Sequence, residues 1–223
     1  MAAACATNPA ELKRYTQGEE IANSITHGLG ALLSIAALVT LLYLALENGD
    51  PWRLVGFTVY GVSLFMLYLA SFLYHAVTHE RLKKIFRMLD HSSIFLLIAG
   101  TYTPVLLVGM RGPLGWTLLA TIWTMAMVGL VYELAFLGRY KWVSLAIYTI
   151  MGWTAIFAIK PMIAMLPGGL LYCIFIGGLF YTGGIGFYAW RKLPFNHAIW
   201  HLFVLGGSTL HFVGIIIYLA PAA

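Results

Sequence analysis

The chain has 223 residues, of which 61% are hydrophobic and only 9% charged, with a formal net charge of +5. A soluble globular domain carries roughly 25% charged residues, so composition excludes a water-soluble fold and marks an integral membrane protein. Cys5 in the polar N-terminal stretch and Cys173 in a distant apolar one make no spaced motif, which argues against a disulfide framework or a thiolate metal site.

The first twenty residues include Lys13, Arg14, Glu19 and Glu20 but no apolar core, so no cleavable signal peptide is expected. Residues 1–20 read as a cytoplasmic tail and 21–220 as one membrane domain. A spanning helix needs about 20 mainly apolar residues. Seven such segments follow one another at 22–46, 52–75, 89–110, 114–137, 142–163, 169–190 and 197–219. Turn residues or charges separate them: Glu47 to Pro51, the basic stretch from His79 to Arg87, Arg111-Gly112-Pro113, Gly138 to Lys141, Pro167-Gly168-Gly169 and Arg191 to Pro194. The expected architecture is an all-α bundle of seven transmembrane helices, without internal repeats or room for a soluble domain between helices.

Orientation follows from Lys and Arg. With the N-terminus inside, Lys13, Arg14, Arg81, Lys83, Lys84, Arg87, Arg139, Lys141, Arg191 and Lys192 are cytoplasmic, and only Arg53, Arg111 and Lys160 lie on the other side. The N-terminus is therefore expected in the cytoplasm and the C-terminus outside, in a multi-pass protein of the plasma (inner) membrane. The positive charge is assigned to orientation and to contact with anionic headgroups at the cytoplasmic face, not to nucleic-acid binding.

This topology gathers polar residues that are far apart in sequence. The second segment runs inward and ends at His75; the third begins on that side with Asp90 and His91; the last also begins there, with His197 and His201. Residues four apart share a helical face, so His197 and His201 can both point inward, and His75 would complete a three-histidine set. Three protein ligands with an open position is the pattern of a catalytic zinc. Asp90 is the carboxylate placed to take and return a proton, and Ser71, one turn before His75, could bond a water or a substrate oxygen. Each residue alone has a simpler use. A single histidine at a helix end is an interfacial or packing residue, Asp90 a helix N-terminal charge, and Ser71 a packing residue.

Other polar positions carry less. His27, near the same end of the first helix, either lines the cavity and supports a ligand or hydrogen-bonds a neighbouring helix. His91 points about 100° away from Asp90 around the helix, so the two are not expected to aim at one point. His79 is expected to be solvated, His211 to pack or line the cavity, and Glu133 and Lys160 to reach the interface. Gly178, Thr182 and Gly186, with Gly177, Gly183 and Gly184 beside them, read as close helix packing, or else as a homo-oligomer contact. Pro104 is expected to kink the third helix and widen the cavity.

Ser71-Phe72-Leu73-Tyr74-His75, Asp90 after the basic stretch, and His197-Ala198-Ile199-Trp200-His201 resemble the motifs of the hemolysin III proteins. These are the bacterial branch of the progestin and adiponectin receptor family and are related to alkaline ceramidases. The run from Glu19 to Gly28 and that from Asp90 through Gly100-Thr101-Tyr102-Thr103-Pro104 resemble the bacterial branch in particular. The resemblance implies seven helices with the N-terminus inside, and a zinc ion near the cytoplasmic leaflet held by His75, His197 and His201. It further implies that Asp90 contacts the zinc water and that Ser71 supports the site. The expected activity is zinc-dependent, ceramidase-like hydrolysis of a lipid amide or ester, with membrane lipids as partners. Two alternatives stand beside it: a non-catalytic regulator or sensor of membrane lipid homeostasis with structural zinc, and a channel or cytolysin.

Overall fold

The computed structural model describes residues 15–136 and 140–221, with Lys141 represented by its backbone alone. Cys5, Lys13, Arg14, Arg139, the Lys141 side chain and most of the expected tail therefore lie outside the described residues. Among the described residues there are eight α-helices: α1 (Gln17–Asn48), α2 (Pro51–Ala76), α3 (Glu80–Pro104), α4 (Pro113–Phe136), α5 (Lys141–Trp153), α6 (Ile159–Met165), α7 (Gly168–Ala189) and α8 (Asn196–Tyr218). Seven stretches are long and apolar enough to cross a membrane, the fifth being Trp142–Met165, which joins α5 and α6. Large apolar side chains point outward along them, among them Leu32, Val128 and Phe157, the last 90% exposed. The chain is an all-helical, seven-span membrane protein.

Local chemistry sets the helix ends. Thr16 caps α1 through a reciprocal pair: the Glu19 amide donates to Thr16 Oγ1 at 3.3 Å, and the Thr16 amide donates to Glu19 Oε2 at 2.9 Å. Gly49 closes α1 in the left-handed region at φ 65°. Asp50 then caps α2, accepting from the Trp52 amide at 3.1 Å, with Pro51 in the first turn. This connection of two residues forces α1 and α2 antiparallel.

Two boundaries differ from the expectation. The third span begins at Glu80 rather than near 89, so the basic stretch is helical. Residues 80–88 contain neither Gly nor Pro, and Glu80 sits favourably at the positive end of the helix dipole. Asp90 therefore lies about three turns into α3, where the dipole no longer reaches, and its simpler reading as a helix N-terminal charge fails. The fifth span is interrupted by a 3-10 turn at Thr154–Ala158. Pro161 cannot donate to the Phe157 carbonyl and crowds it, which loosens the turn before it. Tyr102 of α3 serves the broken turn: its hydroxyl accepts from the Ala155 amide at 3.0 Å and donates to the Gly152 carbonyl at 2.9 Å or the Met151 carbonyl at 3.2 Å. At Pro104 the helix passes into a π turn, Val105–Gly109, a local widening where a kink was expected.

The main core joins α1, α2, α3 and α8 around Leu41, Phe57, Tyr60, Leu67, Tyr68 and Ile215. A smaller cluster of Phe95, Ala99, Ile122, Ala126 and Met151 ties α4 and α5 to α3. On α7, the residues that approach α8 closely are not Gly178, Thr182 and Gly186. A Cβ at Gly177 would lie 2.4 Å from the His211 ring and one at Gly184 2.7 Å from Trp200, whereas Gly178 and Gly186 have room. Antiparallel succession leaves the N-termini of α1, α3 and α8 and the C-terminus of α2 at one end of the bundle.

Candidate metal centre

At that end His75 of α2 and His197 and His201 of α8 converge, each offering a ring nitrogen within 4.8 Å of the others. Their exposures are 3%, 9% and 1%, so the cluster is dry. Ring centroids lie 5.0 Å apart for His75 and His197, 5.3 Å for His75 and His201, and 4.5 Å for His197 and His201. Binding one ion at about 2.0–2.1 Å from each nitrogen would draw the rings slightly closer.

Hydrogen bonds decide which nitrogens face inward. Glu20 Oε2 lies 2.6 Å from His75 Nδ1, and Lys83 Nζ donates to Glu20 Oε1 at 2.8 Å. A carboxylate paired with Lys83 only accepts, so His75 carries its proton on Nδ1 and presents Nε2. Asn23 approaches the same Nδ1 at 3.4 Å and packs beside it. Thr26 Oγ1 donates to the carbonyl of Ala22 or Asn23, both at 2.9 Å, and can accept from His201 Nδ1 at 3.0 Å. His201 thus also presents Nε2. Imidazoles that bind metals usually donate their other nitrogen to such a partner, which fixes ring and tautomer.

The fit to an ion rests on one further observation. His75 Nε2 is fully buried with no hydrogen-bond partner, and leaving such a group unmatched costs about 1–3 kcal/mol. A cation shared with the other two imidazoles would satisfy it, and a purely imidazole donor set suits a transition metal such as zinc, copper, iron or nickel.

Around the triad, His27 stacks on His201 with centroids 3.5 Å apart and planes 14° apart, and it lines the cavity without a hydrogen bond to another helix. Tyr15 covers the cluster from the end of the bundle, 5.2 Å from His197 and 5.7 Å from His75 by ring centroid. Burial, reinforced by Tyr74, Tyr188, Glu20 and Asp90, raises its phenol well above the usual range and keeps it protonated.

His197 and His201 of the triad line a cavity of about 580 Å³ that runs between α3, α5, α6, α7 and α8, and His75 stands behind that wall. Ser71 and Asp90 stand on the same wall, and the buried Ser71 hydroxyl lies within reach of the Asp90 carboxylate. The rest is mostly apolar, with Leu97, Val105, Ile159, Phe175 and Val204 as typical members. A second depression, of about 520 Å³, shares Leu145, Thr149, Thr182 and Ile185 with it along α5 and α7.

The structure thus brings Ser71, His75, Asp90, His197, His201 and His27 into one region. His79 is exposed, as expected, and His211 lines the cavity while its Nε2 meets the Ile174 carbonyl at 3.1 Å. One expectation fails. Glu133 does not reach the interface: it is 1% exposed and bonded to His91 and Ser144. His91, though turned away from Asp90, lines the same cavity. Glu20, Asn23 and Thr26 were missed as supports, although Glu20, Asn23 and His27 recur at helical spacing and so mark one polar face of α1.

Comparison with known proteins agrees with this geometry. Residues 15–212 match the model of the family described as haemolysin-III related. The chain is 53% identical to Hemolysin-3 of Bacillus cereus over 215 residues, covering 96% of this chain and 98% of that protein. It is 49% identical to the Hemolysin-3 homolog of Bacillus subtilis (strain 168), covering 92% and 96% respectively. It is 32% identical to the human monocyte to macrophage differentiation factor, covering 90% and 84%. With a seven-span helical bundle, the motif residues gathered at one end and the match running through nearly the whole chain, this protein belongs to the haemolysin III-related family.

Proposed function

We propose that the protein is a zinc-dependent hydrolase that takes a lipid amide or ester from the bilayer. The observation that carries this reading is the juxtaposition of a buried three-histidine cluster with an apolar cavity whose wall also holds Asp90 and Ser71. An aqueous substrate has no use for such a cavity, whereas an acyl chain fits it. The depression shared by α5 and α7 supports an entry route from the lipid-facing surface.

His75, His197 and His201 would hold the ion, which when bound would supply Lewis acidity and a more acidic water. Asp90 would accept the proton of the attacking water and hand it to the leaving amine or alcohol. Ser71 Oγ, buried beside Asp90, would donate to a substrate oxygen or to the Asp90 carboxylate. Apolar walls exclude bulk water and hold the chain in place.

The histidine end is proposed to be cytoplasmic. Arg81, Lys84, Arg191 and Lys192 are exposed there, a collar suited to anionic headgroups and to the positive-inside bias of a plasma membrane protein. Purified, zinc-loaded protein should release fatty acid from long-chain amides or esters, and His201→Ala should not. If no amide or ester is turned over and His201→Ala behaves like wild type in cells, the reading is wrong.

One observation favours a second reading. Glu20, His75, Lys83 and His201 join α1, α2, α3 and α8 through the cluster, so a metal could act as a structural clip in a regulator of membrane lipid state. In that case Asp90→Ala would leave function intact. The largely apolar cavity wall gives a channel or cytolysin no comparable support.

A further inference from the structure

Glu133 is unexplained by the proposed chemistry. It is a carboxylate in a membrane-spanning helix, 1% exposed, and such groups are functional-site candidates by default. Its oxygens are both engaged: Oε1 lies 3.1 Å from His91 Nδ1, and Ser144 Oγ donates to Oε2 at 2.6 Å. An ionised carboxylate only accepts, so the His91 proton sits on Nδ1 and a neutral His91 ring keeps Nε2 as a lone-pair acceptor. That ring is not packed away. Its side chain is 25% exposed and lines the cavity together with Ser144 and Tyr148. The Tyr148 hydroxyl donates to the His91 carbonyl at 2.9 Å, anchoring the backbone there to α5.

A purely structural bridge between α3, α4 and α5 would not need a His91 side chain that reaches the cavity. Phe95, Ala99, Ile122, Ala126 and Met151 already pack these helices together. Position matters as well. His91 is turned away from Asp90 yet lines the same cavity, so an acceptor here meets a part of the ligand other than the carbonyl that Asp90 would serve.

We infer that His91, oriented by Glu133 and Ser144, is a specificity-determining hydrogen-bond acceptor that recognises a hydroxyl on the head of the lipid held in the cavity. The inference rests on the reading that a lipid occupies this cavity. In a largely apolar wall, a ligand lacking the donor leaves the acceptor unmatched and binds less well.

The test uses the full chain in detergent and three hydrolysis-resistant ligands: N-dodecyl-N′-(2-hydroxyethyl)urea, its O-methyl ether and the N′-propyl analogue. Wild type should bind the alcohol about threefold to tenfold more tightly than either of the others. His91→Phe should erase that preference while keeping the affinity for the propyl compound. His91→Gln, whose carboxamide oxygen can accept, should restore part of it, and Glu133→Gln should weaken it. Should His91→Phe fail to fold, His91→Gln and Glu133→Gln still report on the preference.

Equal wild-type affinity for the alcohol and the methyl ether would overturn the inference. So would a His91→Phe variant that binds all three ligands more weakly by the same factor, as a merely structural bridge would. If wild type binds none of the three, it is the lipid-cavity reading that falls, and the inference with it.

Discussion

At the triad the decisive contacts are those behind the ligands. The Glu20 carboxylate holds the proton on His75 Nδ1 and is itself held by Lys83. Glu20→Gln keeps the shape but removes the charge that favours this tautomer. Loss of such a partner typically costs 10–100-fold in metal affinity, so Glu20→Gln should lose zinc to a competing chelator at about that much lower chelator strength. Unchanged affinity would deny Glu20 its orienting role. Asp90 is expected to behave in the opposite way. Asp90→Asn should keep stoichiometric zinc yet lower hydrolysis by about 10²–10⁴-fold, with bound metal and released fatty acid read from the same sample. If Asp90→Asn loses the metal instead, Asp90 belongs among the supports. Ser71, His75, Asp90, His197 and His201 were legible because charge bias and helical spacing both send them to one end of the bundle. Glu20 was not, since an acidic residue in a first turn is already accounted for by the helix dipole. Nor was Glu133, whose partner His91 lies 42 positions away on another helix.

Helices were readable as apolar stretches, but their interiors and faces were less so. The start of α3 was placed too late because charge was taken as a loop signal, although a charged stretch free of Gly and Pro continues a helix readily. The break between α5 and α6 follows from Pro161, but its repair by Tyr102 depends on which helix packs alongside. Tyr102→Phe leaves the Ala155 amide without its acceptor, at a cost of about 1–3 kcal/mol. Its melting temperature should fall, while zinc content stays unchanged. The glycines of α7 give a sharper comparison. Spacing alone cannot distinguish one small-residue stripe from the one beside it, but contact can. Gly177→Ala drives a Cβ into the His211 ring, whereas Gly178→Ala meets Trp153 at an ordinary 3.7 Å. Thermal melts should show Gly177→Ala destabilised and Gly178→Ala at or above wild type, since alanine also favours the helix. The reverse order would mean that the Gly178 face carries the helix contact.

For the molecule as a whole, the metal centre sits at one end of the bundle, and the cavity extends from it toward α5, α6 and α7. The main cluster runs through α1, α2, α3 and α8 and reaches Met162 of α6 and Leu170 of α7, and the triad closes one end of the four helices named first. The cavity lies toward α5, α6 and α7. The fold class was legible in the sequence because the bilayer demands long apolar helices. The cavity was not, because it arises from the spacing between helices rather than from any one of them. This division separates the two proposed roles. A ligand that binds only the folded state stabilises it by about 2.7 kcal/mol at a hundredfold excess over its dissociation constant. Zinc should therefore raise the melting temperature of wild type, and chelation should lower it, whichever role holds. Asp90→Asn discriminates between them, because Asp90 stands on the cavity wall and is not one of the three imidazole ligands. A hydrolase predicts that Asp90→Asn keeps the full zinc-dependent rise in melting temperature while cellular function is lost. A structural clip predicts that rise with cellular function preserved. Loss of the zinc-dependent rise in Asp90→Asn would contradict both, since Asp90 would then be one of the groups that hold or support the metal.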